Sequence, residues 1–353
     1  MFMEIKIGKK IIGDNYPVFI IAEAGVNHNG DVKLAKKLVD AAVASGSDAV
    51  KFQTFNTDVL IRQNAPKAGY QDINIGKEKS QYQMLKELEL KEQDITELKE
   101  YAEGKGIIFL STAYDFFGVE LLEKLEVPLH KLASIDVVFH PLIQKIARTG
   151  KPLILSSGMA TEEEIDGAVA AFRSVGGRPE HLILLQCNTN YPANPADQNL
   201  RAMETLKKYA PCVGYSDHTQ GNEVSIAAAA LGARVIEKHL TLDKTMAGPD
   251  HGSSMNPDEF KNFVQAIRKT EAALGKKEKR PTGGELENMV GMRRSICAKT
   301  DIPAGTILTE EHFSYKRPCD GLVPTEKNLS ALVGKTAKCN ILKDENITFD
   351  KVK

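Results

Sequence analysis

Eight short β-branched runs in the first 240 residues each end in side chains that can bind anions, carry protons or hold metals. The first closes on Ala22-Glu23-Ala24-Gly25; the second carries Lys51 and Gln53, two apart and therefore on one face of a strand. Thr112 ends the third run, Lys131 and Ser134 mark the fourth, and Ser156-Ser157-Gly158 ends the fifth. The sixth runs into Asn188 and Tyr191, the seventh ends Ser216-Asp217-His218, and the eighth reads Glu237-Lys238-His239. Two lysines among hydroxyls and amides offer charge-assisted hydrogen bonds to the phosphate and carboxylate of a small anionic substrate. Taken alone, Lys51 reads as a solvated strand end. Paired with Lys131 on inward faces it is costly to bury, which turns the reading towards function. His218 and His239 close consecutive strands, about 4.8 Å apart in a sheet, and can share one divalent ion with positions left open. Two histidines alone do not specify a metal, but oxygen-rich neighbours such as Glu23 or Asp250 favour Mn2+ or Mg2+ over structural zinc.

The elements that must position these groups follow from periodicity. The runs at 18–23, 48–54, 107–112, 129–134, 153–157, 182–188, 212–216 and 234–240 alternate with helical patterns, one of which follows the last run at 257–273. Eight β-then-α units predict an α/β fold, a (β/α)8 TIM barrel, whose active site lies at the C-terminal ends of the strands. Thr161 ahead of Glu162, Glu163 and Glu164 is a helix-start signal. Residues 5–12 read as a hairpin closing the N-terminal mouth, and 58–90 as a long connection serving as a lid. The division expected is a barrel with its hairpin over 1–275, a solvated linker over 276–290, and a small β-rich domain over 291–353.

Composition removes several classes of function. Lys+Arg 46 against Asp+Glu 47 gives a net charge of -1, which argues against a nucleic-acid binder. The most apolar stretch, 224–233, falls well short of the roughly 20 residues a membrane span needs. The N-terminus lacks a signal-peptide pattern, and the five widely spaced cysteines read as reduced thiols, so a cytoplasmic location is expected. There is no phosphate-binding P-loop, G-x-S-x-G elbow or H-E-x-x-H helix.

The strings IIAEAGVNHNGDVKLAKKLVDAAVASGSDAVKFQTF, SQYQMLKELEL, FLSTAYD, LSSGM, GYSDHT and IEKHLTLDKTMAGPDH, with a late Lys-Arg-Pro, together resemble the N-acetylneuraminate (sialic acid) synthase family. That family includes legionaminic, pseudaminic and related nonulosonate synthases, and the resemblance covers almost the whole chain in order. It implies a TIM barrel followed by an antifreeze-like (SAF) domain, in a homodimer whose swapped C-terminal domain covers the partner's active site. It implies condensation of phosphoenolpyruvate with an N-acetylated mannose-type sugar to a nine-carbon 3-deoxy acid and phosphate, with Mn2+, or Mg2+ or Co2+, as the ion. Carried over position by position, Lys51, Thr112, Lys131, Ser134, Ser156 and Ser216 would cradle phosphoenolpyruvate, and His218 and His239 would hold the metal. Glu23 would manage a proton or position water; Gln53, Asp136, Tyr191 and Asp250 would face the sugar, with Asn188 beside them and Arg317 arriving from the partner.

Departures from the family pattern bear on the acceptor. Many sialic acid synthases carry Gly-Glu after the Lys-x-x-Ser stem, whereas Ile135-Asp136 stands here, one methylene shorter. Thr189 occupies a position that is Asn in some members, and Asp250-His251 resembles the neuraminate and legionaminate branches. Two other readings compete: a metal-dependent barrel aldolase using pyruvate, and an inactive barrel carrying a carbohydrate- or ice-binding module. Within the family, pseudaminate or spore-coat polysaccharide synthesis is the alternative.

Overall fold

The computed structural model describes residues 4–353 and divides into two units after Gly275. A hairpin of β1 (Glu4–Ile7) and β2 (Lys10–Gly13) opens the first unit. Eight parallel strands follow: β3 (Phe19–Gly25), β4 (Ala49–Thr54), β5 (Ile108–Ala113), β6 (His130–Leu132), β7 (Leu153–Ser156), β8 (Leu182–Cys187), β9 (Cys212–Asp217) and β10 (Val235–His239). They pair in chain order and β10 returns to β3, so the sheet closes into a barrel with helices between consecutive strands. This is the (β/α)8 TIM barrel that the alternating pattern predicts.

Strand alternation sorts the core into two layers. Ile20, Val50, Phe109, Leu132, Leu184 and Ile236 face outward against helix residues such as Leu38, Leu98, Ile146 and Phe260. Their inward neighbours Phe19, Ile21, Ala49, Leu110, Leu129, Ile154, Ile183 and Val235 fill the bore. Ile5, Ile7 and Ile12 of the hairpin join that inner cluster and stopper the N-terminal end. Burying each isoleucine contributes on the order of 1.5–3 kcal/mol. One step further up most strands the inward position turns polar, with Glu23, Lys51, Thr112, Lys131, Ser156 and Glu237.

Three local readings change. The fourth strand ends at Leu132, because a 3-10 turn over Ser134–Asp136 takes up the chain that was expected to stay extended to residue 134. The 58–90 connection is helical, with Thr57–Leu60, Gly69–Ile75 and Gln81–Leu88, and Met84 and Leu88 pack on Val26 and Phe55. Gly30 makes that seat possible: at φ 75° a side chain is strained, and a Cβ would stand 2.5 Å from the Glu87 carbonyl oxygen.

Residues 276–353 have a core of Ile296, Ala298, Ile302, Leu308, Phe313, Leu332, Ala337, Ile341, Ile347 and Val352. β11 (Ser295–Ala298) pairs antiparallel with β12 (Phe313–Lys316), and isolated bridges tie the remaining extended segments together. The stretch read as linker contains a helix, Gly283–Met292, started by Thr282 and Glu285, each side chain bonding the other's backbone N–H. Among the described residues no helix is long and apolar enough to cross a membrane.

Candidate active site

The barrel's register assembles the polar layer. Glu23 lies opposite Lys51 and His239, Gln53 opposite Thr112, Thr112 opposite Lys131, and Ser216 opposite Cys187 and Glu237. Lys51 Nζ sits 2.8 Å from Glu23 Oε2 and donates to Thr112 Oγ1 at 2.7 Å. Lys131 Nζ donates to Ser156 Oγ at 2.8 Å and to the Leu132 carbonyl at 2.9 Å. Between them stands Glu237, its two oxygens 3.7 Å from one ammonium and 3.7 Å from the other, with Ser216 Oγ donating to it at 3.3 Å. Both lysines are 2% exposed, so two cations and two carboxylates share one buried floor.

Their charge states follow from that sharing. Burial pulls Lys51 down, but the Glu23 and Glu237 carboxylates outweigh it and hold its pKa above the usual value. Lys131, with weaker compensation, is lowered by burial. Burial raises Glu23 to about 7 against the pull of Lys51, while the two lysines keep Glu237 below the ordinary carboxylate value despite its burial. Glu23 also accepts from Gln53 Nε2 at 3.3 Å. It is therefore poised near neutrality, as a group that exchanges protons requires.

A second, acidic wall borders this floor: Asp136 feels the Lys131 charge and Asp250 the His218 charge. Asp136 is raised to about 7 and Asp250 to about 6, both through burial, and Asp136 Oδ2 has no hydrogen-bond partner. Ser134 Oγ accepts from the Gly158 N–H at 3.0 Å, close enough that a Cβ on Gly158 would collide with it. Tyr191 lies over His218, ring centroids 4.0 Å apart, and meets His239 edge-on at 5.5 Å. The Asn188 side chain accepts from Asn190 N and donates to the Asp197 carbonyl within its own loop. Arg317 lies in the second unit and is exposed.

The two histidines fit a divalent ion in several respects. Their rings lie 5.4 Å apart, and His218 Nδ1 faces the Asn188 carbonyl, an arrangement that leaves Nε2 as a free lone pair. His239 Nδ1 is buried without a partner, and burial and the His218 charge hold its pKa well below the ordinary imidazole value. For His218 burial acts downward too, but Cys187 and the Asn188 carbonyl leave it raised, so protons compete with metal there at low pH. Among the described residues no group of three or more His, Cys, Asp or Glu side chains is arranged to hold a metal.

Two residues escaped the sequence reading as site members. Glu237 shares the inward face of β10 with His239, two residues away, and that parity was the signal for it. Tyr70, on the helix Gly69–Ile75, stacks on Tyr191 at 4.9 Å and feels the Asp250 charge. Asn74 of the same helix donates to the Pro249 carbonyl at 2.6 Å. No strand anchors this helix, so no spacing in the sequence pointed to it.

Comparison with known proteins gives the family of the chain. The NeuB family signature matches residues 38–279 and the SAF domain signature residues 293–353. The chain is 43% identical over 348 residues to the N,N'-diacetyllegionaminic acid synthase of Legionella pneumophila, covering 98% of this chain and 97% of that protein. It is 35% identical over 344 residues to the human N-acetylneuraminate-9-phosphate synthase, covering 97% and 94%. The crystal structure of the N-acetylneuraminic acid synthetase from Leptospira borgpetersenii superposes with a TM-score of 0.71 at 36% identity, covering 82% of this chain and 96% of that one. The chain belongs to the NeuB family and carries a C-terminal SAF domain.

Proposed function

We propose that this protein is a transferase that condenses phosphoenolpyruvate with an N-acetylmannosamine-type sugar, releasing phosphate and a 3-deoxy-nonulosonic acid. The observation that carries the reading is the buried pair Lys51 and Lys131, each set among hydroxyls on a floor bridged by Glu237. Such a floor suits a substrate with phosphate at one end and carboxylate at the other. The acidic wall of Asp136 and Asp250, with Tyr191, suits a polyhydroxyl acceptor. Held together, the enol C3 bonds to the sugar aldehyde carbon, water adds at C2, and the tetrahedral centre loses phosphate by C–O cleavage. Glu23, poised near neutrality, takes or returns the water's proton. A divalent ion, Mn2+ foremost, bound by His218 and His239 would supply Lewis-acid polarisation of the aldehyde.

The acceptor we favour is the 2,4-diacetamido-2,4,6-trideoxy-mannose that yields legionaminate, with N-acetylmannosamine the alternative. The likeness to the Legionella synthase and the shorter Asp136 support it. A homodimer is in keeping with the apolar side chains left exposed beyond the strand ends, Phe116, Phe117, Ile135, Val138 and Met159, and on the second unit, Leu286 and Val290. The free cysteines accord with a cytoplasmic enzyme. The test is phosphate release from phosphoenolpyruvate and Mn2+ with N-acetylmannosamine, mannose or the diacetamido sugar, each with and without EDTA. EDTA-sensitive release with the diacetamido sugar is expected; turnover of pyruvate without phosphate release would establish the aldolase instead.

A further inference from the structure

Directly behind the two histidines, on the outer face of the barrel, lies an ion pair that touches no part of the substrate pocket. Asp217 and Lys238 are register partners on β9 and β10, one residue before His218 and His239 respectively. Because side chains alternate, the pair points outward where the histidines point inward. Its side chains are 0% and 2% exposed, and Lys238 Nζ lies 2.8 Å from Asp217 Oδ2. Further hydrogen bonds hold both groups. Lys238 also donates to the Thr219 carbonyl at 2.7 Å; Asp217 Oδ1 accepts from Thr219 N at 2.8 Å and Oγ1 at 2.7 Å; Oδ2 accepts from Ser225 Oγ. The network reaches the Tyr191 loop as well. Tyr215 Oη donates to Gln198 Oε1 at 2.7 Å, and Ala193 N donates to the His218 carbonyl at 2.9 Å.

We propose that the Asp217–Lys238 pair is a positioning device that fixes, from behind, the strand ends carrying His218 and His239, and so presets the divalent-ion site. This rests on the reading of those histidines as the metal ligands. Stability alone is a poor reason for the pair, since a buried ion pair is commonly no better than well-packed apolar groups in its place. What it does give is register: it clamps two adjacent strands at the one level where a slip would separate the ligands, while Thr219 fixes the turn that follows. The two side chains act through the histidines and are not catalytic residues.

The test separates positioning from stability with the neutral double variant Asp217→Asn/Lys238→Met, which leaves no buried charge unpaired. Mn2+ binding to the full chain is read by electron paramagnetic resonance of the free ion, and folding by thermal melting. The double variant is expected to melt near the parent but to bind Mn2+ about tenfold more weakly, the effect typical of groups that orient ligands. Leu142→Ala, in the buried face of the helix His140–Ala147, is expected to lower the melting temperature and leave Mn2+ affinity within about twofold. Parental Mn2+ affinity in the double variant overturns the proposal, as does an equal loss in Leu142→Ala. Should the double variant not fold, Ser225→Ala, which removes one of the two hydrogen bonds to Asp217 Oδ2 and so loosens the pair, carries the same test, and unchanged affinity there overturns it. A parent chain whose Mn2+ binding is indifferent to His218→Ala overturns the metal reading itself, and this inference with it.

Discussion

At the scale of single residues, burial gives the pocket its chemistry. Glu23 beside Lys51 would be a permanent carboxylate in water; desolvated, it stands at about 7 and can exchange a proton during turnover. Glu23→Gln keeps the shape and removes the exchange, so kcat is expected to fall by about 10²–10⁴-fold. The KM for phosphoenolpyruvate should stay within a few-fold, and steady-state phosphate release measures both. Asp136 makes a different prediction, on stability. Burial lifts it from 3.8 to about 7, so between those values the folded chain holds a proton that the unfolded chain has released. Stability contributed by this group therefore falls as pH rises from about 4 to 7 and changes no further above that. Asp136→Asn escapes this cost, so its melting temperature, without substrates, should exceed the parent's by a wider margin at pH 8 than at pH 5. An equal margin at both would show that Asp136 titrates normally. The lysines and histidines were legible in the sequence because strand parity aims them inward. Glu237 was equally legible by that parity, yet its place between two lysines appears only when β10 is laid beside β3 and β9.

At the scale of elements, alternation within strands carried most of the fold, and all eight barrel strands fall within a few residues of their expected places. What the sequence hid was helical structure without a strong apolar period. The helix Gly283–Met292 sits in a stretch of Gly, Lys and Pro, and its one signal is Thr282 with Glu285 three residues on, set against the poor helix propensity of Gly283 and Gly284. The 58–90 segment hid more. Its short helices are held by Met84 and Leu88 on one side and, on the other, by Tyr70 and Asn74, which meet Tyr191 and the Pro249 carbonyl. Because Tyr70 stands on the acidic wall and away from the lysine floor, its loss should be felt by one substrate only. Tyr70→Ala is expected to raise the acceptor KM about tenfold, the price of one lost stacking contact with its burial. The KM for phosphoenolpyruvate should be unchanged, and Tyr70→Phe should behave as the parent because the ring does the packing. A change confined to phosphoenolpyruvate would place Tyr70 on the wrong side of the pocket.

At the scale of the whole molecule, the exposed Arg317 and the apolar side chains beyond the strand ends bear on the same question, which is whether one chain suffices for one site. Each unit has its own core, so each can keep its fold while meeting a second copy. If Arg317 serves the partner's pocket, as the swapped arrangement requires, two inactive variants can restore each other. Lys51→Ala damages the floor of its own barrel; in that arrangement Arg317→Ala would damage the pocket of the chain opposite. In a mixed dimer of the two, one site then collects both lesions and the other has neither. Random pairing makes half of all dimers mixed, each with one intact site of two, so co-expression should return about a quarter of parental activity. In an arrangement where Arg317 serves its own barrel, every site in every dimer keeps one lesion, and activity stays at the level of the separate variants. Co-expressing the two chains under different affinity tags, isolating the doubly tagged dimer and measuring phosphate release decides between them: about half of parental activity in that fraction means service in trans, and none means service in cis.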